Sequence, residues 1–122
     1  MAAFQHVALL ASAARTAAVN TADQANMGNR GVRIVIDVTV DPAAAAVTYT
    51  IEGKDPISGK YYTILASAAL AAVATTTLTV FPGATAAANT VANNYLPAVW
   101  RVAVTVADTD SFTYSVNAEL LP

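Results

Sequence analysis

The 122-residue chain contains no cysteine, few charged residues and no long apolar run. The absence of cysteine excludes thiol catalysis, cysteine-ligated zinc and a disulfide scaffold. Charged residues make up 11% of the chain, whereas an average soluble domain has about 25%. Six scattered basic residues and a net charge of −2 do not form the dense positive patch of a nucleic-acid binder. The apolar runs are far shorter than the about 20 residues that span a bilayer, so we expect no membrane partner.

The N-terminal segment has one feature of a secretory signal. Residues 7–14 are short and apolar, like a signal-peptide core, but residues 1–6 contain no lysine or arginine. Signal peptides begin with positive charge, so we expect this segment to belong to a mature protein made in the cytoplasm.

Apolar and polar residues alternate along several segments, which predicts strands with one buried face. In Gly31–Val40, Val32, Ile34 and Ile36 alternate with polar residues such as Arg33 and Asp37. The same pattern recurs in residues 47–52, 100–106 and 112–120, and weaker strands are predicted at residues 4–13, 60–66 and 75–81. We expect Ile34, Trp100, Val102 and Val104 to be buried, and Arg33 and Asp37 to pair with neighbours across the sheet.

Turn residues separate these strands. Asp41-Pro42, Asp55-Pro56 with Gly59, and Asp108-Thr109-Asp110 form short connections of the kind that joins antiparallel hairpins. The chain therefore predicts an all-β fold, a single antiparallel β-sandwich of immunoglobulin-like or jelly-roll type. Residues 1–29 are expected to form an N-terminal arm, or a first strand with a crossing loop, before a sandwich domain at residues 30–122. Residues 84–94 are rich in alanine and asparagine and allow a helical turn.

No motif in the chain predicts catalysis. The segment from Gly53 to Lys60 has the wrong spacing for a phosphate-binding loop and is not followed by a helix. Asp108 and Asp110 form a solvated turn rather than a calcium site, which needs six or more oxygen ligands. His6 is the only histidine, and no nucleophile motif accompanies it. We expect no catalytic, metal-binding or cofactor-binding residue, and therefore no enzyme.

Several short motifs resemble those of a known group of proteins. They lie at residues 30–39 (RGVRIVIDVT), 51–62, 80–83, 96–102 (LPAVWRV) and 113–116. These motifs resemble small virion proteins of tailed bacteriophages, of the head decoration or cement type, over about three quarters of the chain. The resemblance implies a structural protein on the outer capsid surface that binds the major capsid protein and other copies of itself. The alternative is a tail or baseplate module that binds a glycan or receptor, with Tyr61 and Tyr62 stacking on sugars.

Irregular segments are the expected assembly contacts, because paired strands have already used their backbone hydrogen bonds. Alanine in these segments allows close approach, and asparagine forms hydrogen bonds without the desolvation of a charge. We expect contacts from residues 1–29, the turn at residues 55–59 and the connection at residues 84–97. The candidate contact residues are Phe4, His6, Arg15, Asn20, Arg30, Ala86, Ala87, Asn89, Asn93, Asn94 and Tyr95.

Overall fold

The structure, a computed structural model, describes residues 3–122, and every regular element in them is a β-strand. The strands are β1 (Gln5–Arg15), β2 (Val19–Asn20), β3 (Gln24–Ala25), β4 (Gly31–Val40), β5 (Val47–Lys54), β6 (Tyr61–Ala66), β7 (Ala74–Val80), β8 (Val91–Ala92), β9 (Val99–Val106) and β10 (Phe112–Leu121). In this part of the chain no helix is long and apolar enough to cross a membrane.

The strands form two sheets that pack face to face as an all-β sandwich, as the sequence predicts. The first sheet, sheet A, has the order β1-β10-β4-β7-β8, and the second, sheet B, has the order β2-β9-β5-β6, with β3 also paired to β9. All pairings are antiparallel except that between β7 and the two-residue β8, which is parallel.

The pairing is nested along the chain. β5 pairs with β6, β4 with β7, β2 and β3 with β9, and β1 with β10. Two lateral pairings, β10 with β4 and β9 with β5, then join these ribbons into the two sheets. The chain thus folds as one long antiparallel ribbon wrapped around a single core.

The core lies between the sheets and consists of the alternate residues that the sequence pattern selects. Ile34, Val102 and Val104 are fully buried, and Trp100 is 1% exposed, which confirms the expected burial of all four. The other fully buried large side chains include Tyr49, Tyr114, Phe112, Ile36 and Ile51. Burial of this apolar surface is the main term that stabilises the fold.

The polar residues of β4 pair across the outer face of sheet A, as predicted. Arg33 Nη1 donates to Glu119 Oε1 on β10 at 3.0 Å, and Thr75 Oγ1 on β7 donates to Asp37 Oδ1 at 3.2 Å. Both partners stand directly opposite β4 in the strand register. These cross-strand pairs stabilise the sheet modestly.

The hairpin prediction is correct at one turn and wrong at two. Residues 55–60 join β5 and β6 as a hairpin, but residues 41–46 and 107–111 lead from one sheet to the other. Five or six residues reach across the about 10 Å between packed sheets as easily as they close a hairpin. In the first of these connections, Asp41 Oδ1 accepts the backbone N–H of Ala45 at 2.7 Å, which fixes the turn.

The helical turn allowed at residues 84–94 does not form. Gly83 and Asn89 have φ angles of 87° and 61°, in the left-handed region that interrupts a right-handed helix. The N–H of Thr79 donates to the carbonyl oxygen of Thr90, and that of Phe81 donates to that of Ala92, so this segment pairs with the end of β7.

The N-terminal residues are part of the sandwich. β1 forms an edge of sheet A, and residues 16–30 then cross to sheet B. Thr21 is buried there, and it exchanges two hydrogen bonds with Val102: its N–H donates to the carbonyl oxygen, and its Oγ1 accepts the N–H, both at 2.9 Å. The crossover thus supplies backbone pairing that β9 would otherwise lack.

Candidate assembly interface

Exposed large apolar side chains gather at one end of the sandwich, where β4 and β9 begin and β5 and β7 end. We call this the apolar end. Its exposed side chains are Phe4, Met27, Ile57, Tyr62 and Tyr95, whereas Val40 and Val73 are the only others of this kind in residues 3–122 and lie at the opposite end. Ile57 is 95% exposed and Met27 is 81% exposed. Large exposed apolar patches mark interaction sites in folded proteins.

Hydrogen bonds of the Asn26 side-chain amide hold the segment that carries Met27 against the segment that carries Tyr95. Asn26 Nδ2 donates to the carbonyl oxygens of Asn29 at 2.8 Å and Leu96 at 2.9 Å. The backbone N–H of Leu96 in turn donates to the carbonyl oxygen of Arg30. The turn at residues 26–29 and the segment at residues 95–97 are therefore held together as one surface.

Phe4 lines a groove of about 480 Å³ at the same end. Asn29 Nδ2 donates to the carbonyl oxygen of Ala3 at 2.9 Å, which fixes the backbone just before Phe4. Phe81 and Leu121 form apolar walls, and the Arg33–Glu119 pair forms the polar side. The groove is shallow and largely apolar, and it can accept an apolar side chain of a partner.

A rigid turn presents Ile57. Asp55 Oδ1 accepts the backbone N–H of Ile57 at 3.0 Å, and Asp55 Oδ2 accepts the Ser58 hydroxyl at 2.8 Å. These hydrogen bonds, chiefly the one from the Ile57 N–H, lower the pKa of the Asp55 carboxyl below its ordinary value. The polar groups of the turn bond to one another, so binding of a partner to Ile57 would order little more of the chain.

Arg30 and Lys60 lie at the apolar end, and the Asp55 carboxylate lies in the same turn as Lys60. Within residues 3–122, no acidic side chain lies within ion-pair distance of Arg30 or Lys60. Arg30 Nε donates to the carbonyl oxygen of Pro122 at 3.2 Å, and its guanidinium carbon lies 5.2 Å from the centroid of the Phe81 ring. Both side chains remain exposed to solvent.

A network on the outer face of sheet B contains two ion pairs and one hydrogen bond from a tyrosine hydroxyl. Lys54 Nζ donates to Asp23 Oδ2 at 2.9 Å, and the Tyr61 hydroxyl donates to Asp23 Oδ1 at 2.6 Å. Arg101 Nε donates to Glu52 Oε1 at 2.8 Å. The bonds from Tyr61 and Lys54 lower the pKa of Asp23, and the Asp23 carboxylate raises the pKa of Lys54. The network ties the crossover to sheet B.

The opposite end of the sandwich is acidic, and we call it the acidic end. Asp37, Asp41, Asp108 and Asp110 lie in this half with a single cation, Arg15, for a net charge of −3. The half nearer the apolar end holds five basic and four acidic residues. Asp108 Oδ1 accepts the N–H of Asp110 at 3.0 Å, as in a solvated turn. The net charge of the chain is thus concentrated away from the apolar end.

The structure brings some of the predicted contact residues together and separates others. Phe4, Arg30 and Tyr95 lie at the apolar end. His6 is on the outer face of sheet A, with Nδ1 4.0 Å from Glu119 Oε2. Arg15 lies at the acidic end, where its guanidinium donates to the carbonyl oxygens of Ala11 and Tyr114, a structural role. Asn20 is in β2, opposite Ala103.

The remaining predicted contacts flank a second groove, of about 460 Å³, beside Ile64 of β6. The predicted residues in its lining are Ala86, Ala87, Asn89, Asn93 and Asn94. Two of the asparagine side chains are used locally, since Asn93 Oδ1 accepts the N–H of Gly83 and Asn94 Oδ1 accepts the N–H of Tyr95. These two side chains therefore stabilise the conformation of the connection between β7 and β9 through local hydrogen bonds.

Sequence reasoning expected contacts from the segments that contain Met27 and Ile57 but named neither residue, and it named Tyr62 only for the glycan-binding alternative. Ile57 stands between Pro56 and Ser58 in a predicted turn, where a polar residue is usual. Met27 similarly interrupts a polar segment. An apolar side chain inside a turn is the signal that identifies such positions. Tyr62 carries no such signal, because an aromatic residue is ordinary in a strand.

The rings of Tyr61 and Tyr62 both contact neighbouring residues of the sandwich. The Tyr61 ring is covered by Arg101, and the Tyr62 ring lies against the Cα of Gly53. In the part of the chain that the structure describes, no three His, Asp or Glu side chains are grouped to hold a metal ion. Comparison with protein-family models finds no match, and comparison with curated proteins finds none either.

Proposed function

We propose that this protein is a structural bacteriophage virion protein that binds the outer capsid surface and stabilises the head. The exposed apolar end of an otherwise closed sandwich carries the proposal. Five large apolar side chains at one end of a 122-residue domain are suited to burial against a partner. The motif resemblance to head decoration and cement proteins supplies the identity of that partner, the major capsid protein.

We infer that the sandwich is of the jelly-roll type. One folded antiparallel ribbon produces the observed nested pairing. The first long strand, β1, pairs with the last, β10, and the middle strands β5 and β6 form a hairpin. The jelly roll is an architecture of viral capsid and lectin domains. This inference supports a virion role, and the assignment to the head comes from the motif resemblance.

The surface chemistry also favours a mechanical role. Within residues 3–122, the three ion pairs with lysine or arginine lie on strand faces or tie the crossover to a strand, so they reinforce the sandwich. With 11% charged residues and much alanine and threonine, the remaining surface loses little solvation energy when neighbours cover it. A cement protein needs such a rigid body, and other copies of the same chain are expected on each particle.

Quantitative mass spectrometry of purified virions tests the proposal. We expect the protein in hundreds of copies per particle, in a fixed ratio to the major capsid protein. Heads that lack the protein should lose their DNA at lower temperature, and added purified protein should restore the wild-type value. A handful of copies, located by immunogold labelling at the tail, would instead support the glycan- or receptor-binding alternative.

A further inference from the structure

We propose that β1 exchanges between two copies of the chain, so that β1 of each copy pairs with β10 of the other. The docking site is the edge of sheet A that β10 presents when its own β1 leaves, and the occupant is the same strand of a second copy. This inference concerns contacts between copies and does not depend on the capsid as a partner.

Less of β1 is buried than of any other long strand. Within residues 3–122, β1 pairs with β10 alone, and it is the only strand of six or more residues in which no residue is buried. Its apolar side chains Val7, Leu9 and Leu10 are half-buried. Two register shifts, on either side of Leu10, interrupt the pairing with β10. Segments with so few buried side chains open at a lower free energy than core strands do.

The strand β10, in contrast, needs a neighbour on this side. Its residues Tyr114, Val116 and Ala118 are at most 2% exposed, and all three stand opposite β1 in the register. The guanidinium carbon of Arg15 lies 4.7 Å from the centroid of the Tyr114 ring, and Arg15 Nη1 donates to the Tyr114 carbonyl oxygen at 3.0 Å. Without β1, apolar side chains and backbone groups of β10 become exposed to water. The β1 strand of a second copy has the same sequence and restores each of these contacts.

The link between β1 and β2 has the properties of a hinge. Thr16, Ala17 and Ala18 are exposed, and within residues 3–122 no hydrogen bond involves them. The link joins Arg15, which ends β1 in sheet A, to Val19, which begins β2 in sheet B. It can therefore change direction and lead β1 to a neighbouring copy without the loss of a hydrogen bond. Exchange of an identical element in this way is a low-cost route to a dimer.

Concentration decides between the closed and the exchanged form, because β1 and β10 make the same contacts in both. The four Cα steps from Arg15 to Val19 span at most about 14 Å. The two sandwiches of an exchanged pair must therefore lie close together at their hinges. Each copy gives one strand and receives one, so the pair is closed by a two-fold axis.

Engineered disulfides test the exchange directly, because the chain has no cysteine of its own. Ala8→Cys with Asn117→Cys places two thiols opposite each other on β1 and β10. Val35→Cys with Thr77→Cys does the same on β4 and β7 and is the matched control. Paired residues of antiparallel strands have Cα atoms about 4.5–5.5 Å apart, within the range of a disulfide. The dimer fraction of each purified variant is isolated by gel filtration, oxidised and run on a denaturing gel without reductant.

We expect the 8–117 disulfide to join two chains covalently and the 35–77 disulfide to stay within one chain, so that the control dimer runs as a monomer. Monomer bands from both dimer fractions would show that copies associate with β1 in its own sandwich, which would overturn the inference. Absence of any dimer at a protein concentration of about 1 mM, the effective concentration that a short tether gives, would overturn it as well.

A shortened hinge provides a second measurement. Deletion of Ala17 and Ala18 leaves two Cα steps between Arg15 and Val19, which span at most about 7 Å, whereas packed sheets lie about 10 Å apart. β1 then cannot return to its own β10, and we expect the dimer to form at about tenfold or more lower concentration than that of the wild type. Insertion of three glycines after Ala17 is the control and should not favour the dimer.

Sedimentation velocity measures the dimer fraction of these variants, and circular dichroism and thermal melting report whether each one folds. A folded deletion variant that stays monomeric at the concentration where the wild type dimerises would contradict strand exchange. Both experiments use free protein, so a negative result leaves the proposed function standing.

Discussion

The guanidinium carbon of Arg101 lies 3.5 Å from the centroid of the Tyr61 ring, so a strand in the middle of sheet B is joined to its edge strand by a cation–π contact. The Tyr61 hydroxyl extends the contact to the crossover, because it donates to Asp23 Oδ1 at 2.6 Å. Residues far apart in sequence thus share one small cluster, and that cluster holds residues 16–30 against sheet B.

The cluster makes stability depend on pH through Asp23. Hydrogen bonds from Tyr61 and Lys54 hold the pKa of Asp23 in the folded protein below its ordinary value of 3.8. Because that folded pKa is depressed, the stabilisation is present above pH 3.8 and is lost as the pH falls through the folded pKa. We expect Asp23→Asn to lower the free energy of unfolding between pH 5 and 7, and the difference from the wild type to shrink below pH 4.

Urea unfolding from pH 2 to 7 measures this difference. Asp55 also has a depressed pKa but titrates in both proteins, so its contribution cancels in the comparison. A difference between wild type and variant that does not change with pH would show that the Asp23 charge has no part in stability.

Tyr49 provides a second prediction. Its side chain is fully buried, and its hydroxyl has no hydrogen-bond partner within residues 3–122. Tyr49→Phe should therefore leave the free energy of unfolding at pH 7 unchanged or raise it by up to about 1 kcal/mol. Burial, chiefly, raises the pKa of Tyr49 above its ordinary value of 10. The hydroxyl stays neutral in the folded protein but ionises near pH 10 in the unfolded chain. The free energy of unfolding is therefore unaffected by Tyr49 below pH 10 and falls as the pH rises above 10.

The variant should lose part of this alkaline decline. Urea unfolding at pH 7 and near pH 11 compares the two proteins, with an exposed tyrosine substitution, Tyr95→Phe, as the control. If Tyr49→Phe destabilises the protein by more than 1 kcal/mol at pH 7, the hydroxyl makes a favourable bond and the prediction is wrong.

Gly31 is required where β4 meets β7. A Cβ atom at this position would overlap the carbonyl oxygen of Val80 and lie 2.7 Å from Phe81 Cδ2. Because backbone atoms of β7 must move to make room, we expect Gly31→Ala to cost about 1–3 kcal/mol. Gly53→Ala is the matched control, since there the added Cβ meets the far end of the half-exposed Tyr62 ring, which can move away. Thermal unfolding should rank Gly31→Ala as the less stable; the reverse order would contradict the prediction.

Thr21 tests whether the crossover belongs to the folding unit. Thr21→Ala removes the oxygen that accepts the backbone N–H of Val102 and leaves this buried donor unpaired. We expect a loss of about 1–3 kcal/mol, whereas Thr21→Ser keeps the hydroxyl and should lose less. Chemical unfolding of the three proteins measures the losses. Equal stability of all three would mean that the Thr21 hydroxyl contributes nothing to the fold.

Local pattern determined the strands of this protein, because alternation between two faces is a property of each strand alone. The alternation in β4 selects Val32, Ile34, Ile36, Val38 and Val40 for the core. The structure buries the first four, whereas Val40, at the end of the strand, is 51% exposed. Alternation does not state which strand pairs with which. For that reason the short connections at residues 41–46 and 107–111 were predicted as hairpins although they cross between sheets.

Only the tertiary structure decided which exposed residues lie together at one end of the sandwich. Phe4, Met27, Ile57 and Tyr95 are up to 91 positions apart in the chain, and no local pattern places them at the same end of the sandwich. They share one end because the nested ribbon places the starts of β1, β4 and β9 beside the hairpin tip of β5 and β6. The same long-range pairing separates the cations near that end from the four aspartates at the other. Exposure and the distribution of charge depend on contacts that form between distant segments, and these contacts exist only in the folded chain.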